Sequence, residues 1–150
     1  PELYEVSREV KIEELQQMKQ VQEDLKDTLL AFRARYGTGR AIAAPQIGVK
    51  KRVIYRHLDT PVLFINPRLS FPEQDMIDVL DDCMSFPDLL VRVKRHKRCI
   101  IYYKDLEWND CSMELEGDMS ELIQHEYDHL DGILATLRAV DERALVMKPH

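Results

Sequence analysis

No stretch of this chain approaches 18 consecutive apolar residues, so a membrane-spanning helix is not expected. No Arg-rich or apolar leader pattern precedes the first helical stretch, and no targeting segment is expected there. Cysteine is scarce. Cys83, Cys99 and Cys111 cannot all pair and sit in strand-like or loop-like surroundings. That usage points to free thiols and a reducing intracellular compartment, the cytoplasm first and a mitochondrion or plastid as the alternative. An excess of positive charge is also missing: the net charge of −6 argues against sequence-specific nucleic-acid binding. Repeats and low-complexity tracts are absent. What remains is ordinary globular material, 45% apolar and 32% charged over 150 residues. This is enough for one domain, residues 1–150, with its own core, and it leaves the oligomeric state open.

The charges are distributed in blocks. From Phe71 to Asp88 there are six acids and no base, from Val91 to Lys104 six bases and no acid, and from Asp105 to Asp131 ten acids and no base. Such blocks most simply pair with one another across strand and helix faces. The basic stretch 92–104 also offers a contact for an anionic partner such as ribosomal RNA, although no interleaved stacking aromatics accompany it.

Hydrophobic spacing over Lys11–Tyr36 predicts a long N-terminal helix, ended by Gly37-Thr38-Gly39. Short strands are predicted at Lys51–Arg56 and Pro61–Ile65, the second closed by Asn66-Pro67. Further strands follow at Asp78–Met84, Leu89–Val93, Cys99–Tyr103 and Cys111–Leu115. Asp118-Met119-Ser120-Glu121 has the form of a capping box, opening a helix over Met119–Asp131 that Gly132 ends. The tail Ile133–Met147 is expected to be partly helical. The fold class is therefore α+β: antiparallel strands around a C-terminal helix, with a long helix at the N-terminus.

The chemistry concentrates on that second helix, in His125-Glu126-Tyr127-Asp128-His129. Histidines four apart lie on one helix face, one turn above the other, and two imidazole nitrogens so placed can hold one metal ion. Glu126 lies about 100° round the helix, where it can take a proton from a coordinated water. Asp128, between the histidines, suits a carboxylate that supports the site. A protease of the metzincin type needs a third histidine at the place of Ala135, which removes that class. A thermolysin-like arrangement would draw on Glu142, close to the chain end. The remaining candidate is Cys83, 42 residues before His125, among polar residues at a strand end. A thiolate with two histidines suits zinc or ferrous iron with one open position.

Three segments taken together resemble the motifs of the peptide deformylases. They are Gly39-Arg40-Ala41-Ile42-Ala43-Ala44-Pro45-Gln46, Cys83-Met84-Ser85 and Gln124-His125-Glu126-Tyr127-Asp128-His129, with Ile65-Asn66-Pro67 between the first two. The resemblance spans roughly Leu25–Leu137. It implies Cys83, His125 and His129 as ligands of one divalent ion, Fe2+ first and Zn2+, Ni2+ or Co2+ as substitutes. Glu126 would be the general acid/base, and Gln46 with the Met84 backbone N–H would bind the developing oxyanion. The implied reaction removes the N-formyl group from the N-terminal methionine of nascent chains and releases formate. The alternative is a protein of the same fold acting as another N-acyl amidase or as a binding module. Ile42, Phe86 and Ile123 are expected to line a pocket for the methionine side chain. Ala41 replaces a family glycine, Asp81-Asp82 replace Glu-Gly, and Leu90 stands where many members have Arg. Ala41 and Asp82 are thereby expected along the peptide-binding edge. The family's acid before the cysteine motif commonly pairs with an Arg, which here would join Asp81 to Arg95.

Overall fold

The computed structural model describes residues 5–83, 86–132 and 145–147, with the backbone alone for 79–83, 86–92 and 145–147. A 3₁₀ turn at Ile12–Glu14 leads into α1 (Leu15–Tyr36). Then come β1 (Ala41–Ala43), a second 3₁₀ turn at Ala44–Ile47, β2 (Val53–Arg56), β3 (Val62–Ser70), β4 (Met76–Cys83) and β5 (Phe86–His96). The described chain continues with β6 (Arg98–Lys104), β7 (Asp110–Glu116), α2 (Asp118–Leu130) and β8 (Leu145–Met147). All strand pairs are antiparallel and make two sheets, ordered β1-β2-β3-β6-β7 and β4-β5-β8. The α+β expectation therefore holds. No helix among the described residues is long and apolar enough to cross a membrane.

Alternation along β1, β2 and β3 decides where the two cores lie. Ile42, Val53, Tyr55, Leu63 and Ile65 join Met18, Leu25 and Leu29 of α1 in one buried cluster. Their neighbours in sequence, Ala43, Ile54 and Phe64, join Ile123 and Leu130 of α2 in the other, with Cys99, Ile101 and Leu115. Successive strand residues point to opposite faces, so the larger sheet lies between the two helices with both faces apolar. The α1 residues that reach it, Met18, Leu25 and Leu29, share one face of the helix. Gly37, at φ 73°, ends α1, its N–H donating to Arg33 O at 2.8 Å.

Two local expectations are corrected. Asn66-Pro67 does not close a strand, because β3 runs on to Ser70 through a register shift between Ile65 and Arg68. The cause is non-local: the Asn66 side chain accepts from Val10 N at 2.7 Å and donates to Val10 O at 2.8 Å. These bonds hold Asn66 at φ 51°, a region asparagine tolerates, so the pair acts as a bulge rather than a stop. At the start of α2 the cap is Gly117, with no side-chain cap bond, so Asp118 is already helical and no capping box forms on it. Asp118 and Glu121 still favour the positive end of the helix by their charge. Leu145–Met147 of the tail is a strand paired with Leu89–Val91; residues 133–144 lie outside the described residues.

Candidate metal centre

α2 buries an unusual amount of polarity. Ser120, Gln124, His125, Glu126, Asp128 and His129 are all buried, which demands partners for each. Five of these six residues fall in two adjacent stripes, each at a spacing of four residues.

Ser120, Gln124 and Asp128 form the first stripe, and every member bonds to β5. Ser120 Oγ donates to His96 O at 2.8 Å, and Gln124 Nε2 donates to the same carbonyl at 2.7 Å. Gln124 Oε1 accepts from His96 N, also at 2.7 Å, so the side chain imitates a strand neighbour. One residue earlier, Arg95 Nη1 meets Asp128 Oδ2 at 2.6 Å, with side chains 3% and 8% exposed. Asp128, expected to support the site, is buried and paired with Arg95. Asp81, the partner expected for Arg95, lies opposite Val91 in the β4–β5 register, and its side chain is outside those described. The clamp was missed in the sequence, yet a signal existed: polar residues recur at 120, 124 and 128, one turn apart on the helix.

The second stripe carries His125 and His129. Their rings lie 5.2 Å apart between centroids and 76° from coplanar. One donor atom each of His125, Glu126 and His129 falls within 4.8 Å of the others, and all three residues are buried. Burial, with the neighbouring His125 and the positive charge of Arg95, lowers the His129 pKa from 6.5 to about 3. A neutral imidazole offers a lone pair, so this donor set fits a divalent metal ion. A measurable consequence follows for metal-free protein. The native-state pKa lies below the unfolded value, so the unfolded chain takes up a proton that the native one refuses. Stability is whole above about pH 6.5 and is lost progressively as pH falls toward 3. Urea titrations of the metal-free protein should show this decline, and it should weaken markedly in His129→Ala.

The other expected ligand lies on the same hairpin, at the end away from Arg95 and His96. Cys83 ends β4, in register with Phe86 of β5, so it stands at the closed end of the hairpin that the first stripe ties to α2. The side chains of Cys83, Asp82 and Phe86, and the whole of Met84, lie outside the described residues. Gln46 sits half-buried in the 3₁₀ turn after β1; its Oε1 accepts from Ala43 N at 2.9 Å, which leaves the amide to donate elsewhere. Ala41 is buried in β1 opposite Arg56. Strand parity takes Ile42 to the α1 core, and Ile123 is fully buried in the α2 core. Of the basic stretch, Arg95 pairs inward, Arg98 with Glu73 and Glu116, and Lys104 with Asp110, as the block pattern anticipates.

Two buried imidazoles one turn apart, with a carboxylate beside them, are the working parts of a metal-dependent hydrolase. Comparison with known proteins narrows the class. A model of the polypeptide deformylase family matches residues 1–144. A peptide deformylase of Dictyoglomus turgidum is 33% identical over 137 residues, covering 90% of this chain and 86% of that protein. One from Treponema pallidum subsp. pallidum is 37% identical over 114 residues, covering 75% of this chain and 70% of that protein. The crystal structure of the Thermotoga maritima peptide deformylase superposes with a TM-score of 0.84 at 29% identity, covering 94% of this chain and 92% of that one. The chain belongs to the polypeptide deformylase family.

Proposed function

We propose that this chain, a peptide deformylase by family, removes the N-formyl group from the N-terminal methionine of newly made polypeptides at a site built on Cys83, His125 and His129. The observation that carries the reading is the buried α2 face, where His125, Glu126 and His129 converge within 4.8 Å. When bound, a divalent ion, ferrous iron first and zinc, nickel or cobalt as substitutes, polarises the formyl group and lowers the pKa of a coordinated water toward ~7. The chain's own groups do the rest. A Glu126 oxygen takes the proton of the attacking water and passes it to the methionine nitrogen as the C–N bond breaks, leaving formate and a free amine. The Gln46 amide and the Met84 backbone N–H donate to the formyl oxygen as negative charge builds on it.

Ala41 and Asp82 border the peptide's path, and Phe86 and Ile123 the methionine side chain, while Ile42 supports β1 from beneath. The free thiols Cys99 and Cys111 support a reducing compartment, the cytoplasm first. Within the basic stretch, exposed Lys94 and Lys97 are the residues through which a ribosomal contact would run.

The test is formate release from a formyl-Met peptide by iron-loaded protein kept from oxygen, with formate and free amine appearing in equal amounts. Fully metal-loaded protein that releases neither overturns the reading. Cys83→Ser is expected to lose most of the bound metal, whereas Cys99→Ser and Cys111→Ser keep it. Full metal content in Cys83→Ser, measured by elemental analysis, would remove Cys83 from the ligand set.

A further inference from the structure

The stripe that carries His125 and His129 does not stop at the histidines. One turn toward the helix N-terminus it presents Glu121, whose Oε2 meets Arg40 Nη2 at 3.6 Å. Exposure rises along this line: His129 is 1% exposed and His125 5%, the Glu121 side chain 14% and the Arg40 side chain 40%. Among the described residues this stripe is most exposed at its Glu121 end. Arg40 is also held in place there. Arg33 donates to Gly39 O from Nε and Nη2 at 3.0 and 2.7 Å, and Nη2 reaches His57 O at 2.6 Å. Arg40 O in turn accepts from His57 N at 2.9 Å. Gly39 is at φ 130° and packs so closely that a Cβ would sit 3.2 Å from the Phe32 ring, so the approach to β1 is rigid.

We propose that the Arg40–Glu121 ion pair determines which first side chain the enzyme accepts, a reading that rests on the deformylase site described above. A substrate whose formyl carbon lies at the histidines has its first side chain within reach of the next turn of α2, where the pair stands. An apolar side chain there covers charged groups and gains nothing for it, whereas a linear side chain ending in a hydrogen-bonding group recovers part of that cost. The pair therefore relaxes selection for methionine over a linear polar side chain of similar length such as glutamine. Its two charges balance, so neither lysine nor glutamate is favoured while both residues are present.

The test compares kcat/KM for formyl-Met, formyl-Gln, formyl-Lys and formyl-Glu peptides of otherwise equal sequence. In the parent, the Met and Gln peptides should lie within roughly 10-fold of each other, below the ~100-fold by which an apolar pocket separates such pairs. Arg40→Met should raise the Lys:Met ratio roughly 10-fold, and Glu121→Gln the Glu:Met ratio by a similar factor, about 1.4 kcal/mol in each case. Arg40→Met with Glu121→Leu should raise the Met:Gln ratio roughly 10-fold. Ratios within one preparation are insensitive to partial loss of fold or metal, so a bracing role alone leaves them unmoved. Ratios unchanged within twofold in all three variants overturn the proposal. Calorimetric binding of the deformylated peptides to zinc-loaded protein gives the same ranking independently of turnover. A parent that binds these peptides in the expected order but releases no formate counts against the deformylase reading and upholds the role of the pair; binding without the order overturns the pair.

Discussion

Glu126→Ala should bind metal at the parent's level and lose roughly 10²–10⁴-fold or more in turnover. Glu126 is buried beside His125, its Oε1 3.9 Å from His125 Nε2, at a distance that suits a proton carrier next to the proposed ligands. Metal content by elemental analysis, set beside formate release, separates the two roles. Parallel loss of both would make Glu126 a ligand or a structural group instead. Glu126→Gln sharpens the result, because it keeps the size and hydrogen-bonding capacity of the side chain while removing its basicity.

Arg95→Ala is expected to be the most destabilising single change at the site. It removes the guanidinium that faces the Asp128 carboxylate at 2.6 Å in a nearly dry setting. Leaving one charge of a buried pair typically costs about 3–5 kcal/mol. The variant should also hold metal less tightly, since the same bond ties the β4–β5 hairpin to α2. Arg95→Met combined with Asp128→Leu should recover much of the stability, because neither charge is then buried alone. Urea unfolding midpoints for the three proteins decide the matter, and a single variant as stable as the parent would show the pair to be dispensable.

The parts of the site that could be read from the sequence are those encoded by local spacing. His125 and His129 are four residues apart, and helix geometry alone brings them together. Strands rich in β-branched and aromatic residues, such as Cys99–Tyr103, were legible for the same reason. What could not be read depends on residues distant in the chain. Asn66-Pro67 looks like a stop until Val10 arrives to bond Asn66, and nothing near Arg95 in the chain announces Asp128, which only α2 brings up. Ile42 shows the limit of composition: it is apolar, as a pocket residue would be, but strand parity sends it to the α1 side while Ala43 faces α2. Glu121 reads as a capping residue, and its ion pair with Arg40 emerges only when β1 lies against the helix.

The last turn of α2 is completed by residues far earlier in the chain. Leu130 O accepts from Ser7 N at 2.8 Å and from Arg52 Nη1 at 3.1 Å across 78 residues, and the Arg52 guanidinium also meets Asp131 and lies over Tyr127. Closing such long loops is slow, because their entropy must be given up before the contact returns anything. During synthesis the segment around Ser7 precedes its partner Leu130 by nearly the whole described chain. The contacts that close the last turn of the histidine-bearing helix can therefore form only after α2 itself has been made.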